Sequence, residues 1–299
     1  MKTVITGLAA CGLALSIGAT AHAAAPGPTL SKIKDSGAIT IGHRESSVPL
    51  SYLGEDQKPI GFSMDLCQLV VAKLEADLGK TLKIVYQPVN SSNRIPLVKN
   101  GTVDIECGST ANTAARQSEV GFSVTTYAPQ FKWLARKDSG IKETEGLKGK
   151  AVAVTQGTNT SQFVAKLNTD RKLEMKITPG KDHAESFLLV QTGRAAAFME
   201  DDILLAGLKA NAAEPDAFVF LDDSFPSDPY ALMFSKDDPG FRALVNDALT
   251  TAMASGDYDR LYAKWFESPI PPKNINLAFP QSEGLKALVK NPSDKANGQ

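Results

Sequence analysis

The stretch Val89–Arg116, VNSSNRIPLVKNGTVDIECGSTANTAAR, decides the fold of this chain. A polar loop comes first, a short apolar helix follows over Ile95–Lys99, and Asn100–Gly101 forms a turn. A strand is predicted over Val103–Cys107, and a Gly-Ser-Thr turn then opens onto a second helix that contains Arg116. This order of loop, helix, strand and helix is typical of an α/β protein.

Four side chains of this stretch are expected at one edge of the predicted sheet. In α/β proteins, ligands bind beyond the carboxyl ends of the strands. Ser91, Arg94, Ser109 and Arg116 fall at that edge. They suit a small ligand with carboxylates, because the planar fork of arginine pairs with both carboxylate oxygens. The alternative is a pair of surface arginines in loops beside helices.

Strands and helices alternate on both sides of this stretch. A strand at Ala38–Gly42, a helix at Gly61–Leu78 and a strand at Leu82–Val89 precede it. The order β-α-β-α-β implies parallel strands joined by right-handed crossovers. The alternation restarts near residue 149, with a strand at Ala151–Thr155 and a helix at Ser161–Asn168. The sequence therefore predicts a second α/β unit.

Less regular segments connect and flank these units. Gly121–Trp133 is apolar and aromatic and is predicted as a strand, and Tyr230–Phe234 is predicted to return the chain to the first unit. The Pro/Ala/Gly-rich Ala24–Thr29 is expected to be a mobile leader, and Asp294–Gln299 a loose tail.

The N-terminus has the pattern of a secretory signal peptide over Met1–Ala23. Lys2 provides a positive start, an apolar run follows, and Ala21-His22-Ala23 is a small-x-small cleavage site. We therefore expect export to the periplasm. Leu8–Cys11 resembles a lipoprotein cleavage box, but the apolar run continues beyond Cys11, so we expect no lipid anchor there.

Composition narrows the function classes. The chain has 299 residues, 42% of them apolar and 22% charged, which fits two globular domains. A net charge of −1 with no basic run argues against nucleic acid. His43 and His183 have no carboxylate or cysteine at ligand spacing, and no G-x-S-x-G motif occurs. We expect neither a metal nor a cofactor.

Cys67 and Cys107 remain after removal of the signal peptide. Cys67 lies on a predicted helix, and Cys107 ends a predicted strand that could lie beneath it. Export permits a disulfide between them, and two buried free thiols are the alternative.

Segments of the chain resemble, in order, the bacterial family 3 extracellular solute-binding proteins, the amino-acid-binding subunits of ABC importers. The resemblance spans roughly Leu30 to Lys290 and is greatest for members that bind glutamate and aspartate. Its markers are Gly42–Pro49, Ser91–Leu97, Glu106–Thr110, Leu147–Thr158, Lys181–His183, Gly193–Asp202 and Lys264–Asn274. The resemblance implies a two-lobed α/β fold of the type II periplasmic binding proteins, in which two hinge strands join the lobes and the ligand lies in the cleft.

The resemblance also implies lobe boundaries and partners. The first lobe would comprise residues 24–127 and 232–299, and the second lobe residues 128–231. The protein would be a monomer without enzymatic activity that captures L-glutamate or L-aspartate and delivers it to an inner-membrane ABC permease. The ligand would contact both lobes only in the closed state.

Residue by residue, the resemblance assigns the two ends of the ligand. Arg116 would pair with its α-carboxylate and Asp201 with its α-ammonium, while Ser109 would hold the head group. The family usually has threonine at the position of Ala111, so one hydroxyl donor is missing there. The residues expected to receive the side-chain carboxylate are Arg44, Ser91, Arg94 and His183.

Thr158 and Asn159 would add contacts from the second lobe, where the start of a helix presents free N–H groups to an anion. Each assignment has an alternative. The arginines could form surface ion pairs, His183 could be a plain loop residue, and Thr158 or Asp201 could cap a helix.

Three other functions remain open at this stage. The ligand could be glutamine or asparagine, which differ from the acids only in the terminal group. The protein could be a periplasmic cyclohexadienyl or arogenate dehydratase on the same fold. A sensor role with a docked receptor is also compatible with these residues.

Overall fold

The computed structural model describes residues 27–297. The predicted signal peptide and Cys11 lie outside the described residues. Helices form where apolar residues recur at helical spacing. The described α-helices are α1 (Pro28–Ser36), α2 (Phe62–Leu78), α3 (Arg94–Lys99), α4 (Ala114–Gln117), α5 (Asn159–Asp170), α6 (His183–Gln191), α7 (Asp202–Ala210), α8 (Pro239–Ser255), α9 (Asp257–Phe266) and α10 (Glu283–Lys290).

The strands are short, and most of them belong to two five-stranded sheets. In chain order they are β1 (Ala38–His43), β2 (Ser46–Ser47), β3 (Ser51–Leu53), β4 (Pro59–Ile60), β5 (Lys83–Pro88), β6 (Ile105–Glu106), β7 (Gly121–Phe122), β8 (Gln130–Arg136), β9 (Ala151–Thr155), β10 (Lys176–Gly180), β11 (Ala197–Asp201), β12 (Phe218–Pro226), β13 (Met233–Phe234), β14 (Pro269–Ile270) and β15 (Ile275–Asn276).

The two sheets define two α/β lobes. The first has the strand order β5-β1-β6-β13-β7, and the second has the order β10-β9-β11-β8-β12. In the first sheet β1 is parallel to β5 and β6, as predicted. In the second, β9 is parallel to β10 and β11. The two-lobed α/β fold predicted from the sequence is confirmed.

The strands predicted to be parallel are parallel, but each sheet also contains antiparallel strands. β13 is antiparallel to β6 and β7, and β8 is antiparallel to β11 and β12. Neither β8 nor β13 follows a crossover helix, because each is entered directly from the opposite lobe. A helix crossover is what makes consecutive strands parallel, so these two strands are free to run the other way.

The predicted strand Gly121–Trp133 is wrong as a single element. It is divided between β7 in the first sheet and β8 in the second. The intervening residues 123–129 cross between the lobes and end at Pro129, which has no N–H to give to a ladder. Apolar content alone does not distinguish one long strand from two strands separated by a crossing.

Two segments that connect the lobes are hydrogen-bonded to each other. The Thr126 N–H donates to the carbonyl oxygen of Tyr230, and the Tyr230 N–H donates to that of Tyr127, both at 2.8 Å. Nearer the first sheet, the Ser123 N–H donates to the carbonyl of Leu232 at 2.9 Å. The chain therefore passes between the lobes as an antiparallel pair, which is the geometry expected of a two-strand hinge.

Each lobe has its own apolar core. In the first lobe, Phe62 packs edge-on against Tyr258 and Phe266, and Tyr127 stacks on Phe266. Trp133 lies in the core on one face of the second sheet, while the other face is covered by a separate cluster of buried residues. Burial of apolar surface is the main stabilising contribution in both lobes.

Cys67 and Cys107 form a disulfide with a Cα–Cα distance of 6.3 Å. The bond joins α2 to the end of β6 inside the first core. The arrangement of helix over strand predicted from the sequence is confirmed, and of the two alternatives the structure has the disulfide.

The chain ends within 27–297 are more ordered than the sequence predicted. Helix α1 begins at Pro28, a residue suited to a first helical turn, and the Thr29 N–H donates to Asp238 at 2.8 Å. The predicted mobile leader is therefore wrong for Gly27–Thr29. The predicted loose tail is wrong for residues 294–297, because Asp294 accepts hydrogen bonds from Asn112 and Gln117. The sequence analysis also missed α10, whose Ser282 cap is a recognisable signal.

Candidate functional site

Arg44 lies between the two lobes and brings together three other predicted site residues. Its Nη1 donates to Ser109 Oγ at 3.3 Å, and its Nη2 donates to Ser91 Oγ at 3.1 Å. The same Nη2 lies 3.4 Å from Nε2 of His183, which belongs to the second lobe. Arg44 and His183 are each 1% exposed. The surface ion-pair alternative for Arg44 is thereby excluded, and His183 is a buried residue at the start of α6 and not a plain loop residue.

Arg94 occupies a parallel position deeper in the first lobe. Its Nη1 donates to the Ser109 carbonyl at 3.2 Å and to Thr110 Oγ1 at 2.7 Å. Thr110 in turn donates to Oε2 of Glu106 at 2.5 Å. Arg94 is only 2% exposed, so a surface ion pair is excluded here too. Arg44, Ser91, Arg94 and His183, which were predicted to lie together, thus belong to one connected cluster, and Ser109, which was assigned to the head group, joins them.

His183 is tied to its own lobe by β9 and β11. Its Nδ1 lies 3.0 Å from Thr155 Oγ1 and 3.4 Å from Oε2 of Glu200. The other oxygen of Glu200 accepts hydrogen bonds from Thr160 Oγ1 at 2.8 Å and from the Asp201 N–H at 3.2 Å. A buried carboxylate therefore lies directly behind the imidazole ring.

Arg116 reaches across the cleft at a different edge. Its Nη1 donates to the Ala111 carbonyl at 2.9 Å, and its Nη2 donates to the Gly157 carbonyl of the second lobe at 3.2 Å. The guanidinium is partly exposed and lines a groove of about 550 Å³ together with Asn159 and Asp228. Nδ2 of Asn159 donates to Asp228 at 3.3 Å.

Thr158 is buried and caps α5. Its Oγ1 accepts from the Ser161 N–H at 3.0 Å and donates to the Thr155 carbonyl at 2.7 Å. Both hydrogen bonds stay within the same turn, so the helix-capping alternative describes the side chain in this state. A direct contact between the Thr158 hydroxyl and a ligand stays a prediction.

Asp201 lies at the start of α7, but its side chain does not cap that helix. Its carboxylate accepts hydrogen bonds from Ser227 Oγ at 2.6 Å and from the hydroxyl of Tyr230. Tyr230 is on the crossing segment that returns to the first lobe. Asp201 is therefore held beside the hinge and faces the same interior as the arginines.

Burial shifts the ionisation of these groups. Desolvation, and then the neighbouring Arg94, lower the pKa of Arg44 to about 10 and that of Arg116 to about 9. Desolvation, and then Arg44 and Arg94, hold the pKa of His183 well below its usual value. Desolvation also raises the pKa of Glu200 and raises that of Asp201 well above its usual value. Charged groups that are buried together in this way must balance one another.

The lobes touch closely around this cluster. Gly157 has a φ of +76°, and a Cβ there would lie 2.7 Å from the Ser91 carbonyl oxygen. On another part of the contact, a Cβ at Gly207 in α7 would lie 2.3 Å from the Val48 carbonyl oxygen. Only glycine permits the two backbones to approach this closely. The structure is therefore a closed arrangement of the two lobes.

Two buried acids of the site, Glu106 and Glu200, and the hydroxyls around them were not predicted from the sequence. Both acids lie in segments that carried the family resemblance, next to residues that were selected. The available signal was position, since each falls at the carboxyl end of a strand in the first or second sheet. An acid inside an apolar strand is rarely buried without a partner.

Two negative findings concern residues 27–297. No group of three or more His, Cys, Asp or Glu side chains in this range is arranged to hold a metal ion. No helix in the same range has both the length and the apolar character needed to cross a membrane.

Comparison with known proteins gives close relatives over nearly the whole chain. The L-glutamate/L-aspartate-binding protein of Pseudomonas aeruginosa is 47% identical over 273 residues, which cover 91% of this chain and 90% of the relative. The glutamate/aspartate import solute-binding protein of Escherichia coli is 45% identical over 288 residues, covering 95% of each chain.

A solved structure gives the same fold. An ancestral amino-acid-binding protein, described as a precursor of cyclohexadienyl dehydratase, aligns with a TM-score of 0.69 and 28% identity. The alignment covers 79% of this chain and 99% of that chain. The family model for bacterial extracellular solute-binding proteins, family 3, matches residues 39–268. This chain belongs to that family.

Proposed function

We propose that this protein binds L-glutamate and L-aspartate and delivers them to an ABC permease. The observation that carries the proposal is the buried cluster of Arg44 and Arg94 with Ser91, Ser109 and His183. A ligand side-chain carboxylate placed against these two buried guanidiniums would accept charge-assisted hydrogen bonds from them. The relatives named for glutamate and aspartate support the same ligand.

The head group of the amino acid would lie towards Arg116 and Asp201. Arg116 would pair with the α-carboxylate, which would replace the Ala111 or Gly157 carbonyl as the acceptor. Asp201 would receive the α-ammonium beside the hydroxyls of Ser227 and Tyr230. Asn159 and the first N–H groups of α5 would complete the second-lobe side.

The lobes would open and close about the paired crossing segments. We propose the boundaries 24–127 and 232–299 for the first lobe and 128–231 for the second. Strand membership supports this division, since β8–β12 form the second sheet and the other five-stranded sheet contains β13. The bound ligand would stabilise the closed state because it contacts both lobes only there. The protein would work as a monomer in the periplasm.

Two alternatives use the same cleft. An amide ligand such as glutamine would accept weaker hydrogen bonds from Arg44 and Arg94 than a carboxylate does, which disfavours it. A dehydratase would need an acid over a ring-shaped substrate, whereas the side chains that contact Arg44 at the predicted side-chain end are Ser91, Ser109 and His183. The related ancestral protein is itself described as amino-acid-binding.

The test is calorimetric titration of refolded, ligand-free protein that begins at Ala24. The ligands are L-glutamate, L-aspartate, L-glutamine, L-asparagine and arogenate. We expect tight binding of the two acids and weaker binding of the two amides. Preference for an amide would overturn the assignment of Arg44, Arg94 and His183. Formation of product from arogenate would move the protein to the enzyme class.

A further inference from the structure

Glu200 and His183 form a buried pair behind the predicted side-chain end of the site. Nδ1 of the ring lies 3.4 Å from Oε2 of the carboxylate, and both side chains are 2% exposed. Oε1 of Glu200 already accepts two hydrogen bonds. Oε2 has no hydrogen-bond partner within residues 27–297, so it is available to a proton on the ring.

The contact with Arg44 fixes where a neutral His183 carries its proton. A guanidinium has donors and no acceptor, so Nη2 of Arg44 donates to Nε2 of the ring across the 3.4 Å contact. A neutral ring then has its proton on Nδ1, on the side of Glu200 and Thr155. In this state Nε2 cannot donate to a ligand carboxylate.

The charges around the pair are balanced before a ligand arrives. The charged or titratable groups that act on the pair are Arg44, Arg94, Asp201 and Tyr230, and Glu106 acts on the two arginines. With Arg116 at the rim, three positive groups oppose the three carboxylates of Glu106, Glu200 and Asp201. Asp228 lies beside Arg116 where both are partly exposed and screened by water. An amino acid with two carboxylates adds one net negative charge, which would be buried without a partner.

We propose that Glu200 is a specificity-determining residue of this site: together with His183 it takes up one proton when a ligand side-chain carboxylate enters. The proton comes from solvent and binds at Nε2, which becomes a donor to the ligand carboxylate. The proton on Nδ1 lies on the side of Thr155 Oγ1 and the Glu200 carboxylate, so the ring is an imidazolium between two carboxylates. This inference rests on the proposed function.

An amide ligand does not need that proton. Its NH₂ group can donate to the neutral Nε2 of His183, and it adds no charge. In the ligand-free closed state, burial and the two arginines hold the pKa of His183 well below its usual value, which keeps the ring neutral. The pair therefore discriminates between acid and amide through protonation.

The test counts protons by calorimetric titration at about pH 7.5 in buffers with different ionisation enthalpies. For wild-type protein we expect glutamate binding to take up about one proton more than glutamine binding. Between about pH 6.5 and 8.5, the ratio of glutamate to glutamine affinity should rise up to tenfold for each unit by which the pH falls. In Glu200→Gln the extra proton and the pH dependence of the ratio should disappear.

Controls separate the possible outcomes. Glu143→Gln removes an exposed carboxylate and should behave as wild type. If glutamate binding takes up the same number of protons in wild type and in Glu200→Gln, the inference is overturned. This comparison uses glutamate alone, so it can be made even if glutamine binds too weakly to titrate. If Glu200→Gln does not fold, His183→Gln must lose the proton uptake, and uptake that persists in it overturns the inference. Failure of wild type to bind glutamate would instead refute the proposed function.

Discussion

Replacement of Arg44 by methionine tests most directly whether the site recognises the side-chain carboxylate of its ligand through this arginine. Arg44 is 1% exposed and donates to Ser91, Ser109 and His183. Methionine keeps the apolar stem in place and removes the charge together with all these donors. The hydroxyls of Ser91 and Ser109 can then rotate and hydrogen-bond to other groups, whereas a ligand carboxylate at this position loses the donors of Arg44 without replacement.

The expected magnitude follows from the burial. Removing one partner of a buried ion pair costs about 3–5 kcal/mol, which corresponds to a roughly 10²- to 10⁴-fold weaker Kd for glutamate. Glutamine would lose only a charge-assisted hydrogen bond, about 1.5–3 kcal/mol. Arg44→Met should therefore weaken glutamate binding substantially more than glutamine binding.

The assay is titration of both ligands into wild type, Arg44→Met and Arg194→Met. Arg194 is exposed, so its replacement controls for the loss of an arginine as such. Thermal unfolding of each ligand-free variant checks that it is folded. Glutamate binding by Arg44→Met within about threefold of wild type, well under the tenfold that 1.4 kcal/mol represents, would refute the assignment of Arg44 to the side-chain carboxylate.

Two more predictions concern stability and the head group. Because burial raises the pKa of Asp201, its ionisation opposes folding, and ligand-free protein loses stability as the pH rises above the unfolded value of about 4. Asp201→Asn should therefore raise the Tm of the ligand-free protein by a few degrees at about pH 8 and change it little at about pH 4. The same variant should bind glutamate about 10²- to 10⁴-fold more weakly. A Tm below that of wild type at the higher pH, measured by scanning calorimetry, would contradict the stability prediction. The disulfide closes a span of 40 residues, so replacing Cys67 and Cys107 together by serine should lower the free energy of unfolding in urea by about 2–4 kcal/mol. A reductant should destabilise wild type but not the variant with both cysteines replaced. If the reductant lowers the free energy of unfolding of both proteins equally, reduction of the disulfide is not the cause of the destabilisation.

Much of the fold could be predicted because its elements have strong local signals. The helix predicted at Gly61–Leu78 is α2, and the strand Ala151–Thr155 is β9 with the same bounds. Apolar spacing and terminal glycines decide such elements locally. The division of Gly121–Trp133 between two sheets depends on pairing with Tyr230–Phe234, a contact more than a hundred residues away in sequence.

The candidate site could be predicted only in part for a similar reason. The family resemblance grouped Arg44, Arg94 and His183, and their residue types suited a carboxylate. Neither the resemblance nor the residue types revealed Glu200, because the role of an acid in an apolar strand becomes apparent only when the ring of His183 is known to lie 3.4 Å from it. That distance joins β11 to the start of α6, and no spacing along the chain encodes it.

The close backbone contacts at Gly157 and Gly207 have a consequence for how tightly any ligand is held. A protein that binds only in one of two shapes has an apparent Kd equal to the intrinsic Kd divided by the population of that shape. These two glycines touch Ser91 and Val48 across the interface, and their contacts bear on that population. Substitutions near these contacts can therefore change the apparent Kd for the ligand by changing the population of the closed state, without altering any residue that contacts the ligand.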